Sequence, residues 1–73
     1  MNLYEAQNKS TLEVISISDE KLLNDAYRFG IEKGEEIKVV TKLPNGPIVI
    51  QKNQQQVAIG SELAKAIEVR IKA

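Results

Sequence analysis

The chain has no cysteine, no histidine and no tryptophan, and its only aromatic residues are Tyr4, Tyr27 and Phe29. The missing thiols and imidazoles remove disulfides, thiolate nucleophiles, zinc sites of the Cys and His type, and imidazole acid–base chemistry together. Ser10, Ser16, Ser18 and Ser61 therefore have no imidazole to activate them, and no Gly-rich motif resembles a phosphate-binding loop. An enzyme is not expected, and neither is a bound cofactor. Long apolar runs are also absent. Nothing approaches the ~20 residues that a membrane-spanning helix needs, and the start, MNLYEAQNK, has neither a basic nor an apolar signal region. A cytoplasmic location without direct membrane insertion is the expectation.

Net charge is missing as well, with ten basic and ten acidic residues. Bulk attraction to nucleic acid or to an anionic membrane is thereby excluded. The charge is nonetheless uneven along the chain. Residues 1–36 hold eight acids and four bases, a net of −4, and residues 37–73 hold two acids and six bases, a net of +4. In a compact fold the two halves interleave and attract each other.

What is present is one small domain, residues 1–73, with a core able to bury only about 60% of the unfolded surface. The stretch LLNDAYRFGIEKGEEIKVV, residues 22–40, organises it. Leu22, Leu23, Ala26, Tyr27 and Phe29 recur at three- and four-residue spacings, so they share one side of a helix that needs a core to cover it. With Ser18 as N-cap, Asp19 and Glu20 lie at the positive end of the helix dipole, and Ile17 and Leu22 have the spacing of a hydrophobic staple. With Phe29 as C-cap, Gly30 takes the left-handed position after it, and Gly34 makes a second turn. A strand then runs from Glu36 to Lys42, alternating charged and β-branched residues.

Elsewhere the pattern is of short strands. Thr11–Ile17 reads as a strand with a bulge near Val14 and Ile15 that brings its apolar residues to one side. Leu3, Tyr4 and Ala6 form a short extended piece or single turn across the end of a sheet. In LPNGP, Asn45 and Gly46 both suit positive φ and a tight hairpin. Strands follow at 47–52 and 55–59, joined by an exposed polar turn at Asn53. Ser61 caps a single helical turn burying Leu63 and Ala64, and Ile67, Val69 and Ile71 alternate with charged residues in the last strand. The fold class is mainly β: a small SH3-like barrel of five strands, with one short helix between the first and second and a helical turn before the fifth.

These residues resemble the FeoA family, the SH3-like cytosolic component of bacterial ferrous iron transport systems. The similarity runs through Leu3, then Ala26, Gly30, Ile31, Gly34, Ile37, Val39 and Val40. It continues through Pro44, Gly46, Pro47 and Ile48, and through Val57, Ala58, Ile59, Gly60, Ala64, Ile67 and Val69. The chain departs from the family at Asn8 and Lys9, where a Pro-Gly pair is usual, and at Tyr27 and Phe29, where leucines are common. The resemblance implies an interaction protein that docks on a membrane ferrous iron permease carrying a G-protein domain, peripheral to the inner face of the membrane. The glycines and aliphatic residues of the motif have a structural explanation of their own, so the pattern specifies a fold more than a chemistry.

Candidate partner-binding residues are Tyr27, Arg28, Ile31 and Lys33 at the helix end, and Pro44 and Asn45 at the hairpin tip, with Gly30, Gly34 and Gly46 as structural turns. Tyr and Arg concentrate binding energy where an interface desolvates them. Other readings compete. A weak ferrous-iron chaperone would use Glu32, Glu35 and Glu36, but firm ferrous sites usually add imidazole or thiolate, so no metal site is expected. A stand-alone domain related to the C-terminal part of iron-dependent repressors fits the same resemblance. Polyproline recognition needs more aromatic residues than three. Lys38, Lys42, Lys52, Arg70 and Lys72 form a basic set without the stacking platform that nucleic-acid binding needs. Oligomeric state is left open.

Overall fold

In a computed structural model that describes residues 1–72, five antiparallel strands form one sheet in the order β4-β3-β2-β1-β5. The elements are a 3-10 turn at Leu3–Glu5, β1 (Thr11–Ile17), α1 (Glu20–Arg28), β2 (Glu36–Lys42), β3 (Ile48–Lys52), β4 (Gln55–Ile59), α2 (Ser61–Ala66) and β5 (Ile67–Ile71). Every junction is between neighbours in sequence except β1–β5, which brings the last strand back beside the first. The mainly β, SH3-like architecture read from the sequence is the one observed.

Alternation along the strands decides which residues meet in the middle. Leu12 and Val14 from β1, Ile37 and Val39 from β2, Ile48 and Ile50 from β3, Ile59 from β4, and Ile67 and Val69 from β5 are all buried. Leu3 and Ala6 close one end of this core, with Leu63 and Ala64 from α2. No polar or charged residue is buried among the described residues. The core is therefore held by apolar burial alone, worth about 25 cal/mol per Å2 of apolar surface. Ile71 departs from expectation: its side chain is 67% exposed, because β5 runs past the core at its last residue.

The bulge expected in β1 is present as a register shift between Val14 and Ser16 against β5. A second shift, between Val39 and Thr41 in the β2–β3 pair, has no signal in the sequence beyond the extra apolar residue Val40. Such bulges bend a sheet and raise its twist, which lets so short a set of strands wrap a core.

Three local assignments need correction. The N-cap of α1 is Asp19, whose carboxylate accepts from the amides of Lys21 (2.8 Å) and Leu22 (3.3 Å). Ser18 instead donates its backbone amide to Ala66 at 3.0 Å, tying the helix approach to α2. A carboxylate beside the positive end of the dipole is the stronger cap of the two. With the cap moved by one residue, Ile17 and Leu22 no longer hold the staple positions, although both still pack against the core. The N-cap of α2 is Gly60 rather than Ser61, with no side-chain cap bond. In the β2–β3 turn, Asn45 has φ +54° whereas Gly46 lies outside the left-handed region. The Gly46 amide bonds the Leu43 carbonyl at 3.0 Å, so Pro44 and Asn45 occupy the two central positions of a turn that needs positive φ only at the second.

The turn that leads into β1 is informative for the same reason. Lys9, standing where the related pattern has glycine, adopts φ +70°. Its amide bonds Val39 at 2.8 Å, and the Ser10 amide closes the turn on Gln7 at 3.2 Å. The left-handed geometry survives the loss of glycine, held by these two bonds.

Candidate functional site

Helix α1 and its C-cap residue Phe29 carry three large exposed hydrophobic side chains. Leu23 is 46% exposed, Tyr27 66% and Phe29 44%, half of the six large hydrophobic residues that stand exposed. The sequence placed all three against the core, and that expectation fails. Only Ala26 on this helix is fully buried, with Leu22 partly so. The reason is geometric: nine residues make about two and a half turns, and the narrow sheet reaches only one stripe of them.

What fixes this exposed end is a complete glycine cap. Gly30 has φ +76°, its amide bonds the Tyr27 carbonyl at 3.0 Å, and the Ile31 amide bonds Ala26 at 2.9 Å. These are the paired bonds of a Schellman motif, which satisfies carbonyls left open at the helix end. The chain then turns at Gly34, φ +90°, whose amide bonds Val14 at 2.8 Å. From the other side the Lys52 ammonium, at the end of β3, donates to the Gly30 carbonyl and stands 3.3 Å from the Glu35 carboxylate. The helix end, the turn after it and the sheet are thereby tied into one unit.

Two shallow grooves flank this unit. One, of about 350 Å3, is lined by Leu23, Asn24, Tyr27, Ile31, Glu32 and Lys33. The other runs between α1 and α2, where Arg28, Phe29 and Asp25 face Gly60 and Glu62. Of the residues singled out by sequence, Tyr27, Ile31 and Lys33 thus share one groove and Arg28 lines the other. Ile31 is 1% exposed, so it is a core residue forming a groove floor, not a projecting contact. Pro44 and Asn45 are exposed at the hairpin tip but line neither groove. Leu23 and Phe29 were missed as surface residues because helical periodicity marks an apolar face without saying what covers it.

The carboxylates do not converge. Glu35 is engaged by Lys52, Glu36 meets Lys72 at 2.9 Å, and Glu32 is exposed. Among the described residues no group of three or more carboxylates is placed to hold a metal ion. Donating a hydrogen bond to the Glu36 carboxylate raises the pKa of the Lys72 ammonium above its ordinary value. The basic set is likewise dispersed. Arg70 pairs with Glu13 at 2.6 Å, and Lys42 lies 4.7 Å over the Tyr4 ring, with Lys65 at 5.0 Å. The pairs Lys52–Glu35, Arg70–Glu13 and Lys72–Glu36 each join the basic half of the chain to the acidic half, so the uneven charge is spent inside the fold.

A five-stranded antiparallel sheet with two short helices, and apolar side chains exposed along one of them, defines the class of small SH3-like domains, a class by architecture and not by chemistry. The chain belongs to the FeoA domain family, whose model matches residues 1–71. Solved structures agree. A FeoA-like protein from Clostridium acetobutylicum is 29% identical with a TM-score of 0.91, over 100% of this chain and 87% of that one. A FeoA described as an iron uptake regulatory protein is 28% identical with a TM-score of 0.88, over 96% and 95%. The manganese regulator SloR, at 18% identity, shares the fold over 34% of its length with a TM-score of 0.89. Comparison with curated protein sequences gives no significant match. No helix among the described residues is long and apolar enough to cross a membrane.

Proposed function

We propose that this chain is an accessory interaction module of ferrous iron uptake, which docks on the cytosolic part of a membrane iron permease bearing a G-protein domain and adjusts its activity. Family membership supplies the iron context, and one relative is itself described as an iron uptake regulatory protein. The observation that carries docking is the exposed set Leu23, Tyr27 and Phe29 along α1, whose C-terminal end is capped by Gly30 and tied to β3 through Lys52. A surface that is ordered before it binds loses little conformational entropy on association, and Tyr and Arg at its edge are residue types that anchor interfaces. The protein acts without catalysis of its own and sits at the inner face of the membrane only through its partner.

Capture from cell extract with the tagged domain, read by mass spectrometry, tests the reading. Recovery of a G-protein-bearing permease supports it. Recovery of a DNA-binding repressor in its place would favour the other kinship, to repressor C-terminal domains, for which the present support is fold alone.

A further inference from the structure

The two edges of the sheet are treated differently. The β5 edge is covered: Asn2 bridges Glu68, and the Val69 amide bonds the Met1 carbonyl at 2.8 Å. The β4 edge is not. Beyond its pairing with β3, no backbone hydrogen bond reaches Gln55–Ile59 from any described residue. In an antiparallel pair every second residue turns its N–H and C=O away from its neighbour, so β4 presents a row of unpaired donors and acceptors.

Natural edges are usually protected by charge or proline. Here β4 is the one strand of the five without a charged residue, and the uncharged stretch runs from Asn53 to Ser61 between Lys52 and Glu62. It contains no proline, and Gln55, Gln56 and Ala58 are exposed.

We propose that the β4 edge is a self-association surface, on which β4 of a second copy of this chain adds antiparallel to continue the sheet. The occupant follows from symmetry. In a two-fold antiparallel pair a residue near the centre of the strand faces its own counterpart, so a charge there would meet a like charge close by. An edge selected for a charged partner would carry the opposite charge, and this one carries none. Glutamine is the side chain suited to the arrangement, because its amide both donates and accepts and so pairs with another glutamine. Ala58 keeps the adjoining position small, and the zero net charge adds no long-range repulsion between copies.

The test is sedimentation equilibrium on the full chain from micromolar to millimolar concentration, with amide spectra recorded across the same series. The expected result is a reversible monomer–dimer equilibrium, with concentration-dependent shifts and slowed amide exchange centred on residues 54–58. Gln56→Lys, an exposed position whose change leaves the core untouched, should weaken association at least about fivefold. Gln7→Lys, an exposed change away from the edge, should leave it unaltered. A monomer throughout the range would overturn the proposal, and so would shifts centred on Tyr27 or an association that Gln56→Lys fails to weaken.

Discussion

The Lys52 ammonium donates to the Gly30 carbonyl and stands 3.3 Å from Glu35, so one side chain from β3 holds the end of α1 against the turn that follows it. Both lysine and glutamate are more than two-thirds shielded from solvent, which lifts the pair above the usual small worth of a surface ion pair. Lys52→Met keeps the aliphatic stem and removes the charge. It should cost about 1–2 kcal/mol in chemical denaturation, and it should speed amide exchange at Gly30 and Ile31 before the rest of the molecule opens.

Gly30→Val should destabilise the fold by about 1–3 kcal/mol, because it forces a β-branched residue into a left-handed backbone. The same position is crowded: a Cβ there would meet the Lys52 ammonium at 3.1 Å. Gly30→Ala in combination with Lys52→Met should therefore cost less than the sum of the single changes. Urea midpoints for the four proteins check this.

Lys9 is the opposite case, a side chain where the backbone favours glycine. Lys9→Gly should raise stability by about 0.5–1 kcal/mol, as relief of the left-handed strain outweighs the greater freedom of the unfolded chain. A thermal melt of the single variant decides the sign. A fall in melting temperature would show that Lys9 contributes a contact beyond its backbone.

Ile67 sits fully buried at the joint between α2 and β5, opposite Ile17. Ile67→Ala should cost about 2–5 kcal/mol, the range for emptying a core site that cannot collapse. A loss below about 1 kcal/mol would place this strand outside the cooperative core.

Strand positions were legible because two-residue alternation and turn chemistry agreed at Thr11–Ile17, Glu36–Lys42 and Gln55–Ile59, and the glycine cap at Gly30 was legible because it is purely local. The helix face was not. Leu23, Tyr27 and Phe29 have the spacing of core residues, and only the width of the sheet, a tertiary property, leaves them in solvent. The N-cap was misplaced by one residue because Ser18 and Asp19 are both competent caps, and the choice turned on the Ser18 bonds to Ala66, a partner 48 residues away. The candidate site was accordingly half legible: Arg28 and Lys33 are exposed, Tyr27 has both a core-facing spacing and a docking role in the sequence and proves exposed, and Ile31 belongs to the core.

The central claim, that the end of α1 is the docking surface, is tested most directly by calorimetric titration of the folded double variant Tyr27→Ala with Arg28→Glu against the purified G-protein domain of a ferrous iron permease. Both side chains are exposed, so the circular dichroism spectrum should match the parent's. The account predicts saturable binding by the parent chain and a loss of at least about a hundredfold in affinity in the variant, the effect of removing an anchoring aromatic and reversing a neighbouring charge. Undiminished affinity in the folded variant would contradict it, and would move the docking surface to the hairpin tip at Pro44 and Asn45.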